Sequence, residues 1–311
     1  AAQEAERLGF DLVSCGEHVF FHGPTSNAFV SLAAAAGATN RIGLLSAITL
    51  APLYPSVLLA KLVAALDDVS DGRLTVGLGV GGENRAEFDA LGVDVRERGA
   101  RTDEAVKLLR LLLGSDGASF TGRFARFDDI SICPRPPHGC PPLWIAGRSS
   151  AARRRAARAG DAWMPYLYSP EQLGEQIRNL RSDAQNHGRD PGAVRVAIHV
   201  FVTVMKDPRL ARRQAVESVS RTYRDNAERF ADRYLVFGTP QQVSRRLTEY
   251  RDAGADAFVM RLAGEGRERE SMVRRLAGEV VAPLREKWNH TSVTQPANRA
   301  AVSTRAGEAA R

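Results

Sequence analysis

The feature that most constrains this chain is an alternation. Seven short runs rich in β-branched and aliphatic residues recur along it, separated by longer stretches of helical period. Such alternation builds βα units, and βα units build a parallel sheet covered by helices. The strand runs are Asp11 to Cys15, Ile42 to Ile48, Leu74 to Val80, Pro142 to Ala146, Asp161 to Pro165, Val194 to Val204 and Asp256 to Leu262. Helical patterns cover Pro55 to Val69, Glu97 to Leu113, Ser150 to Ala159, Pro170 to Asn186, Pro208 to Arg224 and Thr239 to Ala253. Ala1 to Leu8, closed by Gly9, reads as the last turns of a helix, so one more strand is expected upstream. Eight βα units is the count of a closed parallel barrel. The expected fold class is therefore α/β, a (β/α)8 TIM barrel whose first strand is missing from this chain, with an insertion after the fourth βα unit. The insertion is Ser115 to Pro141, with a hairpin turn at Phe120-Thr121-Gly122-Arg123 and a proline-rich run from Pro134 to Pro142. The barrel domain takes residues 1–288. Asn289 to Arg311, rich in Ala, Thr, Ser and Arg without periodicity, is expected to be a disordered tail.

Composition closes several other routes. Of 311 residues 44% are hydrophobic and 25% charged, as in globular proteins, and no apolar run is long enough to cross a bilayer. Three scattered cysteines, Cys15, Cys133 and Cys140, make no disulfide framework, and the charged opening Ala1-Ala2-Gln3-Glu4 is no signal peptide. A cytoplasmic protein with no membrane attachment is expected. The net charge of +7 raises the question of nucleic acid. Among 43 cations, however, only Lys61, Lys107, Lys206 and Lys287 are lysines, and the arginines are spread among acids, as in Arg267-Glu268-Arg269-Glu270. The densest cluster, Arg153-Arg154-Arg155 with Arg158, has no interleaved aromatics, so no nucleic-acid partner is expected. No metal site is expected either.

Three stretches carry chemistry. The first strand run ends in Gly16-Glu17-His18, a carboxylate and an imidazole at the strand end where barrels keep their reacting groups. There a histidine can move a proton and an adjacent carboxylate can fix its tautomer; a loop histidine with a structural role is the competing reading. Gly77-Leu78-Gly79-Val80-Gly81-Gly82 has dinucleotide-loop spacing but lacks the acid that should close the next strand, since Asp103 and Glu104 fall inside a helical pattern. The glycines then let something flat or bulky approach the main chain, or merely form a tight turn. Gly147-Arg148-Ser149-Ser150 combines a serine able to N-cap, free helix amides and an arginine, which together suit a phosphate. A capped helix without a ligand fits it equally. Phe20, Phe21, Trp163, Tyr166 and Tyr168 fall just past strand ends and could wall a pocket.

These pieces, in their order and spacing, resemble the luciferase-like monooxygenase superfamily. The resemblance rests on Ala5-Glu6-Arg7-Leu8-Gly9-Phe10-Asp11 with Gly16-Glu17-His18, on Tyr54-Pro55 to Lys61 with Leu66 to Arg73, and on the glycine run with Phe88, Leu91-Gly92-Val93 and Glu97-Arg98-Gly99. It continues through Gly147 to Trp163 and from Phe237-Gly238-Thr239-Pro240 to Leu262. It implies a (β/α)8 barrel holding reduced FMN or coenzyme F420 at its mouth, with the missing strand upstream. It implies His18 as the catalytic histidine, Glu17 as its neighbouring acid, and Glu83 as an acid found in some F420-using members. It implies that Ala47 and Ile48, where many members have a non-proline cis peptide, support the ring system together with Gly79, Gly81, Gly82 and Trp163, and that Gly147, Arg148 and Ser149 take the phosphate. Ala162 stands where glycine is usual before the tryptophan. The implied function is an oxidoreductase acting on a small organic substrate, most simply a monooxygenase inserting one atom of O2. An F420-dependent hydride transfer, or a flavin-binding barrel without turnover, are the alternatives. Homodimers, and a separate reductase supplying reduced cofactor, go with the family.

Overall fold

A computed structural model describes residues 1–264 and 266–288. The expected tail, Asn289 to Arg311, lies outside the described residues. All seven predicted strands are present: β1 (Leu12–Cys15), β2 (Gly43–Leu50), β3 (Leu74–Gly79), β6 (Leu143–Ala146), β7 (Ala162–Met164), β8 (Arg195–Val204) and β10 (Ala257–Leu262). They form one parallel sheet in that order, each strand beside its predecessor, and a short β9 (Val236–Gly238) pairs with the end of β8. The hairpin expected between the third and fourth of these strands is also there, as antiparallel β4 (Ala118–Thr121) and β5 (Arg126–Ile130).

Side-chain parity explains how the sheet curls. Leu45 of β2, Trp144 and Ala146 of β6, Ala162 and Met164 of β7, Ala197 of β8, and Ala257 and Val259 of β10 form one inner cluster against which Leu12 of β1 also packs. Strands at opposite edges of the sheet can share a cluster only if the sheet bends round on itself. The alternate residues, such as Leu44, Val76, Ile145, Trp163 and Val196, face outward into a larger core shared with the covering helices. Both faces are thus apolar, as parallel sheets require. Among the described residues β1 and β10 remain unpaired to each other, so the structure is an open half-barrel.

The covering helices follow their caps. α2 (Ala28–Ala38) starts at Asn27, α6 (Ser150–Ala159) at Ser149, α7 (Pro170–Asn186) at a Ser169/Gln172 capping box and α10 (Pro240–Asp252) at a Thr239/Gln242 box. α2 packs behind β2, α3 (Ser56–Val69) behind β3 and α5 (Arg98–Gly114) against α3, and α8 (Pro208–Tyr223) follows β8. The arginine cluster serves this layer: Arg153 pairs with Asp183, while Arg155 and Arg158 both pair with Asp103, joining α6 to its neighbours. The strands of the main sheet all run the same way, so their C-terminal ends and the loops after them share one mouth.

Candidate active site

The loop after β1 sends two consecutive acid–base side chains in opposite directions. Glu17 is buried, 7% exposed, and its carboxylate is surrounded by donors. The Leu50 amide donates to one oxygen at 3.0 Å, and the Ala28 amide (3.2 Å), Asn27 Nδ2 (3.2 Å) and Tyr54 Oη (3.0 Å) donate to the other. Burial raises its pKa, with those hydrogen bonds opposing the rise. His18 turns the other way and offers Nδ1 to Glu87, 3.0 Å from Oε2 and 3.2 Å from Oε1. Phe21 stacks on the imidazole at 4.2 Å.

This corrects the expected pairing. The carboxylate that holds the histidine is Glu87, not the adjacent Glu17, whose oxygens are committed to the loops after β1 and β2. Glu87 is fully buried on the short helix α4 (Arg85–Ala90), begun by an Asn84 cap, and it also accepts the Val19 amide at 2.6 Å. Glu83, the predicted acid, sits four residues earlier, before the Asn84 cap. It is exposed and, among the described residues, accepts only a long hydrogen bond, 3.4 Å, from Tyr166 Oη. Burial, with Glu83 beside it, pushes the Tyr166 phenol up to about 12.

The floor of the mouth comes from β2. Its register against β3 shifts between Ser46 and Thr49, and there the Ala47-Ile48 peptide is cis. Ser46 Oγ takes over the lost ladder contact, donating to the Gly77 carbonyl (3.1 Å) and accepting from its amide (3.0 Å). What comes close to the glycine run is the protein itself. A Cβ on Gly77 would fall on the Ser46 carbonyl and one on Gly79 on Ile48 Cδ1. Gly81 and Gly82 hold left-handed backbone, φ +61° and +104°, against Leu50, Phe88 and Arg98. Gly79, Gly81 and Gly82, expected to admit a ligand directly, instead seat Ile48 and turn the chain into the helix that delivers Glu87.

On the far side of the mouth, Gly147 (φ +125°) leaves β6 and Ser149 caps α6, accepting the Ala152 amide at 3.2 Å. Trp163 does not line the mouth. It is fully buried in the helix-facing core because Ala162 and Met164 take the inward positions of β7. Its indole N–H donates to the Gly147 carbonyl at 2.9 Å, so it shapes the loop from behind. Tyr168 Oη donates to the Arg148 carbonyl at 2.6 Å, and the Arg148 guanidinium lies over the Tyr168 ring at 5.8 Å. Among the described residues Arg148 has no carboxylate partner. The ten-residue α6 thus begins with free amides beside an unpaired cation.

Sequence reasoning missed Glu87 and a further wall made by His199 and Phe201 of β8, Tyr223 of α8 and Arg261 of β10. A signal was present for Glu87, the acid in the first turn of a helix opened by Asn84. For the wall the only signal was parity with Ala197, Ala257 and Val259. No described helix is long and apolar enough to cross a membrane, and no described group of His, Cys, Asp and Glu could hold a metal.

Comparison with known proteins finds relatives that cover most of this chain. An FMNH2-dependent dimethylsulfone monooxygenase of Pseudomonas fluorescens is 27% identical over 71% of this chain and 69% of its own. An F420-dependent glucose-6-phosphate dehydrogenase of Kineococcus radiotolerans is 26% identical over 91% of each chain. The crystal structure of a monooxygenase from Streptomyces bottropensis superposes with a TM-score of 0.80, at 27% identity and over 91% of each chain. The family model for luciferase-like monooxygenases matches residues 1–257. On that match, spanning the mouth and every strand that builds it up to the start of β10, the chain belongs to the luciferase-like monooxygenase family and is an oxidoreductase by that membership.

Proposed function

We propose that this chain binds reduced FMN or coenzyme F420 across the barrel mouth and uses it to oxidise or reduce a small organic substrate, by insertion of one atom of O2 in the reading favoured here. The observation that carries it is the His18–Glu87 pair, which joins the loops after β1 and β3 on either side of β2 with its Ala47-Ile48 peptide, together with Arg148 on the loop after β6. The residues fit such a cofactor. Ala47 and Ile48, the latter seated on Gly79, offer apolar main chain to a planar ring, and Gly147, Arg148 and the α6 amides suit a phosphate. When bound, the cofactor supplies the redox chemistry, oxygen activation with FMN or hydride with F420.

The chain's own residues supply position and protons. With Nδ1 donating to Glu87, the imidazole presents Nε2 to the substrate, where it accepts a proton in one direction of the reaction and returns that proton in the other. Phe21 covers one face of the ring and limits water there. The same proposal has a cytoplasmic enzyme, and a closed barrel in which one further strand fills the gap between β1 and β10. Hydride transfer with F420 and no oxygen is the second reading, favoured by the match to an F420-dependent dehydrogenase across 91% of both chains.

Titration of the purified protein with FMN and with F420, each in its reduced form, tests the cofactor. Saturable binding of one of them is expected, and indifference to both overturns the reading. Oxygen uptake during turnover then separates the two chemistries. His18→Ala is expected to lower turnover by about a hundredfold or more while the protein stays folded.

A further inference from the structure

One wall of the mouth carries a charge that the reading above leaves unused. Arg261 shares the inward face of β10 with Ala257 and Val259, and its guanidinium lies over the Phe201 ring at 5.9 Å. Phe201 meets His199 at 5.2 Å and Tyr223 at 5.9 Å, and Tyr223 meets Phe21 at 6.4 Å, which in turn stacks on His18. Tyr166 closes the ring, pairing by main chain with His199 and reaching Glu83 by its hydroxyl. These contacts make an aromatic row with His18 at one end and Arg261 at the other.

Among the described residues Arg261 has no ion pair and no hydrogen bond. Burial and the Arg261 charge hold the His199 imidazole down at about 4, so near neutral pH the histidine is uncharged and Arg261 is the cation of this wall. Of the two carboxylates that touch this row, Glu87 is taken by His18 and Glu83 meets Tyr166, and among the described residues neither forms an ion pair with Arg261. The phosphate loop is not the source of a partner either, since it follows β6, with β7 and β8 between it and β10.

We propose that Arg261 anchors an anionic head group, a carboxylate or sulfonate, of a substrate whose apolar body lies along Phe201, Tyr223 and Phe21 toward His18. A planar guanidinium backed by an aromatic ring takes such a group with two parallel hydrogen bonds. The row of rings sets the orientation, carrying the end remote from the charge to the imidazole. This rests on the reading of the His18 mouth as the active site.

The test uses the full chain and a matched set of probes: hexane-1-sulfonate, hexanoate and hexan-1-ol, titrated by ligand-observed NMR. The two anions are expected to bind about tenfold or more tighter than the alcohol, a preference that Arg261→Met abolishes and Arg261→Lys partly restores. Equal binding of anion and alcohol, or an anion preference that survives Arg261→Met, overturns the proposal. Titration of the same variants with FMN and F420 separates substrate from cofactor. If Arg261→Met weakens a cofactor and spares the probes, the charge serves the cofactor and the proposal falls. If neither cofactor binds the unmodified protein, the cofactor reading has failed while the probe contrast still decides Arg261.

Discussion

The two sides of the barrel mouth handle charge in opposite ways. On the side built by β1, β2 and β3, each buried carboxylate is used up within the protein: Glu17 accepts four hydrogen bonds, and Glu87 holds His18 and the Val19 amide. On the side built by β6, β8 and β10, Arg148 and Arg261 face the mouth with aromatic rings beside them and no carboxylate among the described residues. A buried charge without partners is costly, so a scaffold satisfies its own. Charges left open at a rim are where a ligand must finish the arrangement. The first side is scaffold that also aims a histidine, and the second is a receiving surface for anions.

The sharpest way to break that comparison is to remove an acceptor from the satisfied side. Glu17→Ala leaves the Leu50 and Ala28 amides, both buried, without the carboxylate they donate to. Each lost buried bond costs about 1 to 3 kcal/mol, so a loss of about 3 kcal/mol is expected in urea unfolding. The effect is one of stability, because Glu17 does not touch His18. A variant as stable as the parent but impaired in turnover would return Glu17 to the catalytic machinery.

How much of this was legible follows from the range of each signal. The strands were readable because alternating βα periods are local, and so was His18, which stands where β1 ends. Glu87 was not, because its pairing with His18 spans 69 residues of sequence and exists only after β1 and β3 are placed on either side of β2, so that the loops that follow them meet. Trp163 was read as mouth-facing because a parallel strand is apolar on both faces, so the sequence carries no alternation to tell inside from outside. The same blindness hid His199 and Arg261. The glycine run was legible as a close approach, but which body approaches is a tertiary fact: the register shift in β2 brings the Ser46 carbonyl and Ile48 against it.

A smaller effect is expected on the open side. Arg148→Met keeps the apolar stem over Tyr168 and removes the charge, while Ser149 still caps α6. Nothing in the scaffold depends on that charge, so unfolding should shift by less than about 0.5 kcal/mol. Affinity for the phosphate-bearing cofactor should fall about tenfold, equivalent to about 1.4 kcal/mol. A destabilised variant with unchanged cofactor affinity would reverse the assignment of the two sides.

A pH-dependent effect sharpens what satisfaction means on the scaffold side. Asp67, at the end of α3, is buried and accepts one amide, from Leu74 at 3.2 Å. Burial lifts its pKa from an ordinary 3.8 to about 6, with the Leu74 hydrogen bond and the nearby His138 opposing the rise. The folded protein therefore holds a proton there between about pH 4 and 6 that the unfolded chain releases, so the contribution to stability is complete below pH 4 and is lost as pH rises through 6. Asp67→Asn keeps an acceptor for Leu74 and cannot titrate. The stability of the parent relative to the variant should fall with rising pH, by on the order of 1 kcal/mol per pH unit inside that window, and level off above pH 7. His199, held low, acts with the opposite sign over a similar range, so the difference between parent and variant is the quantity to follow, not the parent curve. If that difference is flat from pH 4 to 7, the single amide satisfies Asp67 as fully as four donors serve Glu17, and counting donors no longer distinguishes the buried acids of this side.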